Sequence, residues 1–124
     1  MIGRRWLQGA AMLLLGTTCG RAGAAEAPFY QGKVITAVVA QTADGTGGLR
    51  ARTLLQQLPK YIPGNPTIVL QYMPAAGGMV AANHMANVVR RDGLTIANLL
   101  SSVFSNAILD VSGVRYKLDD LAPL

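Results

Sequence analysis

The chain has 124 residues, of which 51% are hydrophobic and 14% charged. That length excludes more than one ordinary domain, and that composition excludes a disordered chain. A net charge of +5 permits nucleic-acid binding on charge alone, but part of it sits in an N-terminal segment that reads as removable.

Residues 1–27 have the order of a secretory signal. Arg4 and Arg5 come first, and the uncharged run 6–20 follows, dominated by Ala11-Met12-Leu13-Leu14-Leu15. Ala22-Gly23-Ala24 and Ala25-Glu26-Ala27 then each fit a small-residue cleavage site. The run is short for a membrane span, which needs about 20 apolar residues. Arg4-Arg5-Trp6-Leu7 also fits loosely a twin-arginine signal. Export predicts a periplasmic protein. Cleavage near Ala27 removes Cys19 and leaves eight basic and five acidic residues, a net of +3. The remainder has no cysteine for a disulfide or thiol chemistry. Its charge is too mild for nucleic acid, and no basic run is interleaved with aromatics.

Residues 33–40 form a β-branched apolar run that suits a strand buried on both faces of a parallel sheet. Glycines at 45, 47 and 48 mark a loop. A helix is predicted over 49–62 from the spacing of Leu54, Leu55, Leu58 and Ile62, with Pro59 kinking or ending its last turn. Pro63-Gly64-Asn65-Pro66 is a turn. The pattern then repeats, with a strand over 67–73, a Gly-rich loop over 74–78, a helix over 79–89 and a third strand over 94–100. Arg90 and Arg91 suit the negative end of the second helix, and Gly93 suits a stop. A short helix is predicted over 103–109, followed by a connector over 114–124. The fold class is α/β with a parallel βαβαβ sheet.

Two strands thus feed Gly-rich loops that open helices at one edge of the sheet, where open α/β sheets bind ligands. Helix starts carry partial positive charge, so the expected ligand is an anion. The candidate ligand-binding residues are Ala43, Asp44, Gly45, Thr46, Gly47 and Gly48, with Ala75, Ala76, Gly77 and Gly78. The same residues also read as plain βα turns, with Asp44 and Thr46 as local caps. Tyr72 and Met73 read as core or pocket lining. No P-loop, dinucleotide fingerprint or G-x-S-x-G elbow is present, and His84 has no Cys, Glu or second His with which to hold a metal. No catalytic residue, metal or cofactor is predicted.

The stretch 28–96 resembles the substrate-binding receptors of tripartite tricarboxylate transporters. The resemblance is carried by Gly32-Lys33-Val34-Ile35-Thr36, the first Gly-rich loop, Ala51-Arg52-Thr53-Leu54-Leu55 and Ile62-Pro63-Gly64-Asn65-Pro66. It continues through Met73-Pro74-Ala75-Ala76-Gly77-Gly78, Ala81-Ala82-Asn83 and Arg91-Asp92-Gly93-Leu94-Thr95-Ile96. The resemblance implies a type II periplasmic binding protein whose first two βα loops hold a small carboxylate through backbone amides and waters. It implies delivery to the membrane components of the transporter, and no catalysis. Two positions depart from the family pattern. Gly48 stands where an Asp is usual, and Ala75 where the second loop usually has its first glycine. Family members run to roughly 300 residues, about two domains, so residues 28–124 are expected to be an incomplete first lobe with an unpaired sheet edge. Two other readings remain open: a small exported α/β enzyme or binding module taking a phosphorylated ligand at the same loops, and a non-functional product of a truncated gene.

Overall fold

The computed structural model describes residues 27–122. The export signal expected over 1–27 lies outside the described residues except for Ala27, as does the end of the connector at Pro123 and Leu124. Three strands form one parallel sheet: β1 (Val34–Val39), β2 (Thr67–Tyr72) and β3 (Thr95–Asn98). Their order is β2-β1-β3, so the first strand in the chain is the central one. Val34 pairs with Thr67 on one side, and Thr36 with Thr95 on the other. The expected α/β class with a parallel βαβαβ sheet is therefore present.

The strand order also explains where the helices go. The step from β1 to β2 runs one way along the sheet, and the step from β2 to β3 runs back across β1. Crossovers of the same hand must then lie on opposite faces. Helix α1 (Thr46–Gln57) packs Ala51 and Leu55 against Ala37 and Val39. Helix α2 (Met79–Asn87) puts Ala81 against Val38 and Ala40 on the other face. Alternate residues of β1 thus face two different cores, which is why its apolar run is continuous. Val38 and Val39 are completely buried. Each such side chain contributes about 1.5–3 kcal/mol over an exposed one.

A third cluster joins Ala82 of α2 to Val103 of α3 (Ser102–Ile108) and Tyr116. The connector is pinned to α2 by a ladder of amides. The Asn83 side chain donates to the Gly113 carbonyl at 2.9 Å and accepts from the Arg115 N–H at 2.8 Å. Asn87 donates to the Arg115 carbonyl at 2.7 Å.

Several boundaries differ from the sequence reading. Helix α1 starts three residues early, at Thr46, and ends at Gln57, where Pro59 turns the chain into a short 3-10 stretch, Leu58–Tyr61. Its buried stripe is Gly48, Ala51 and Leu55, continued by half-buried Leu58. Leu54, expected on the apolar face, is 64% exposed. Helix α2 stops at Asn87 because both Val88 and Val89 turn their N–H groups onto the His84 carbonyl. Arg90 and Arg91 therefore lie past the helix end, and Arg91 makes an exposed 3.5 Å ion pair with Asp120. Strand β3 is shorter than expected because its ladder ends with β1, where Ala40 donates to the Asn98 carbonyl.

Candidate anion site at the carboxyl edge of the sheet

All three strands point their carboxyl ends the same way, so the loops after them share one edge. A cavity of about 330 Å³ opens there. It is lined by Gly45, Gly47 and Gly48 of the first loop and helix start, and by Gly77 and Gly78 of the second loop. Ala40, Gln41, Thr42, Pro74 and Leu100 complete the lining. The cavity sits over the ends of the strands, between the loops after β1 and β2, with Leu100 after β3 at its side. That carboxyl edge is where open α/β sheets hold ligands.

The two loops use their backbones differently. In the first, Gly45 donates to the Thr42 carbonyl, and the first intrahelical bond runs from Leu49 to the Gly45 carbonyl at 2.9 Å. The N–H groups of Thr46, Gly47 and Gly48 precede that bond and have no partner inside the helix. No side chain caps the helix among the described residues. Gly48 is buried, and the backbone explains why it is glycine: a Cβ there would land on the Thr42 carbonyl oxygen. The chain therefore folds back tightly over its own helix start, and Gly47 and Gly48 form part of the cavity wall.

In the second loop, Ala76, Gly77 and Gly78 all have positive φ. Ala75 donates to the Met73 carbonyl, Gly78 to the Ala75 carbonyl and Met79 to the Ala76 carbonyl. This loop spends those amides on its own turn. Ser102 braces it further by donating to the Gly77 carbonyl at 2.7 Å. Ala75 itself is extended, at φ −125, a conformation that accepts a side chain without strain.

Of the ten residues expected to bind ligand, five line the cavity: Gly45, Gly47, Gly48, Gly77 and Gly78. Ala43, Asp44, Thr46, Ala75 and Ala76 are exposed and flank it without lining it. Gly47 and Gly48 belong to the first turn of α1 rather than to a loop before it. Neither Asp44 nor Thr46 caps the helix. Tyr72 and Met73 are core residues on opposite faces of the sheet. His84 lies elsewhere, in a surface hollow with Asn83, Asn87 and Arg115.

Sequence reasoning missed Gln41 and Asn98. The Gln41 side chain donates through Nε2 to Asn98 Oδ1 at 3.4 Å, spanning the β1 and β3 ends. Its Oε1 rests over Gly47, where a Cβ would otherwise be. The available signal was slight: Gln41 is the first polar residue after the apolar run of the central strand, and Asn98 interrupts the third.

A second cavity, of about 310 Å³, runs along the outer side of β3 between Met85, Ile96, Leu99 and Leu121. It lies away from the helix starts. Comparison of the chain with protein-family models, curated proteins and solved structures finds no significant match.

Proposed function

We propose that this chain is an extracytoplasmic solute receptor that captures a small carboxylate at the carboxyl edge of its sheet. The observation that carries the reading is the cavity at the carboxyl edge of the sheet, lined by Gly47 and Gly48 at the start of α1, whose N–H groups have no partner inside the helix. The resemblance of residues 28–96 to receptors of tripartite tricarboxylate transporters supports the same reading, as does the signal-like order of residues 1–27. On this reading the fold is part of the first lobe of a type II periplasmic binding protein. The ligand is handed unchanged to membrane transporter components.

The chemistry suits capture without reaction. A carboxylate oxygen accepts from backbone N–H groups whose dipoles are already aligned, so little is reorganised on binding. Backbone donors do not titrate, so the pH dependence of binding is that of the ligand's own carboxyl group.

The test is a thermal shift of the full chain against small carboxylates, with inorganic phosphate in parallel. A ligand at a hundredfold excess over its Kd adds about 2.7 kcal/mol of stability. A carboxylate-dependent rise in Tm supports the receptor reading. Stabilisation by phosphate alone transfers the site to a phosphorylated ligand. Absence of any shift removes the reading.

A further inference from the structure

We infer that the export signal is cut between Ala24 and Ala25, and that the Ala27–Pro28 bond, which follows the other small-residue match, is barred to the peptidase by the fold and by Pro28 itself. The inference rests on the export half of the receptor reading and fixes the first residue of the mature chain.

The sequence leaves two cuts open, after Ala22-Gly23-Ala24 and after Ala25-Glu26-Ala27. The Ala24–Ala25 bond lies outside the described residues. The surroundings of the Ala27–Pro28 bond are described, and they decide between the two.

The first ground is the fold. The chain turns as soon as it leaves Ala27. The Gln31 N–H donates to the Pro28 carbonyl at 2.9 Å, and the Lys33 N–H to the Tyr30 carbonyl at 3.1 Å. Strand β1 follows directly, at Val34. The turn is also held from outside. Its backbone runs so close over Gly64 that a Cβ there would meet the Gln31 nitrogen and Cα and the Tyr30 carbonyl carbon, all at 2.9 Å or less. The Lys33 ammonium sits 3.3 Å from the centroid of the Phe29 ring. An endopeptidase binds its substrate as an extended strand, through backbone groups on both sides of the bond it cuts. To present Ala27–Pro28 in that form, the folded chain must break both turn bonds and lift Tyr30 and Gln31 off Gly64. Ala24–Ala25 stands three residues further from the turn, and a cut there leaves the turn intact.

The second ground holds for a chain that has not yet folded. The Ala27–Pro28 bond is a tertiary amide, and Pro28 brings no N–H to the position just past the cut and locks φ at about −65°. Ala25 carries both an N–H and an unlocked φ.

The reaction is hydrolysis by a signal peptidase. Water adds across the amide, the bond from the Ala24 carbonyl carbon to the Ala25 nitrogen breaks, and Ala24 takes the carboxylate while Ala25 keeps the amine. The mature chain then retains Glu26, with eight basic and six acidic residues and a net of +2.

The full chain, produced in a Gram-negative bacterium and recovered from the periplasm, tests this by N-terminal sequencing and intact mass. The expected start is Ala-Glu-Ala-Pro-Phe. Ala24→Leu spoils the first match ahead of the fold and leaves Ala25-Glu26-Ala27 intact. That variant should still give no chain beginning at Pro28. A chain that begins at Pro28, in the parent or in the variant, overturns the inference and leaves export standing. A parent chain that keeps Met1 overturns the inference together with the export on which the receptor reading relies.

Discussion

Gly47 and Gly48 are neighbours in the first turn of α1, yet alanine should affect them in opposite ways. Inside an ordinary helix, replacing glycine by alanine gains at most about 1 kcal/mol. At Gly48 the new Cβ would land on the Thr42 carbonyl oxygen, 2.9 Å from the Thr42 carbonyl carbon and 3.2 Å from that of Ala43. These are backbone atoms, held by the Gly45-to-Thr42 turn, and they can yield only if that turn opens. An overpacking cost of about 3 kcal/mol set against that gain leaves a net loss of about 2 kcal/mol. For a domain of this size that lowers Tm by about 8–16 °C. At Gly47 the Cβ would meet only the end of the Gln41 side chain, which can swing away at the cost of its 3.4 Å bond to Asn98. Gly47→Ala should therefore melt within about 4 °C of the parent. Thermal melts followed by far-UV circular dichroism separate the two. The reasoning is refuted if Gly48→Ala melts at or above the parent, or if Gly47→Ala falls as far.

Tyr116 is buried and donates to the Val103 carbonyl at 2.7 Å, and burial pushes its pKa up. The folded phenol thus keeps its proton where an unfolded tyrosine loses it, so this contribution is intact below about pH 10 and fades as pH rises beyond it. Tyr116→Phe should cost about 1 kcal/mol at neutral pH and flatten the alkaline decline of Tm. Asn83→Ala removes both amide bonds to the connector; hydrogen exchange should quicken at the Arg115 amide while Val38 and Val39 stay protected. Asp44 is an exposed carboxylate close in sequence to the open amides. Asp44→Asn should tighten carboxylate binding at low salt, with the gain vanishing at high salt. An unchanged affinity at low salt would remove Asp44 from the electrostatics of the site.

The alternation of elements was legible because β1 and the loops after β1 and β2 carry strong local signals: an unbroken apolar run, then glycines. The position of α1 was harder to read, for a physical reason. Its buried stripe is carried by Gly48 and Ala51 ahead of Leu55, Gly48 lying under the Thr42 carbonyl and Ala51 against Ala37 and Val39. Counting leucines alone rotates the stripe toward Leu54, which faces water. Half of the expected site residues line the cavity because glycine marks both loops. The rest flank it because a chain reversing this tightly points Asp44 and Thr46 outward. Gln41 belongs to no motif. It matters because the strand order brings Asn98 beside it, and that order depends on contacts between strands far apart in sequence.

The central place of β1 has a kinetic meaning as well. Every strand pair among the described residues is parallel, so the sheet contains no hairpin, and even the consecutive strands β1 and β2 pair only across the intervening helix. Val34 must wait for Thr67, and Thr36 for Thr95, each across a closed loop whose entropy is lost before any ladder bond repays it. Until then the run from Ile35 to Ala40 stays uncovered. During synthesis it is an adhesive segment, and a chaperone that shields it would act before any native contact can.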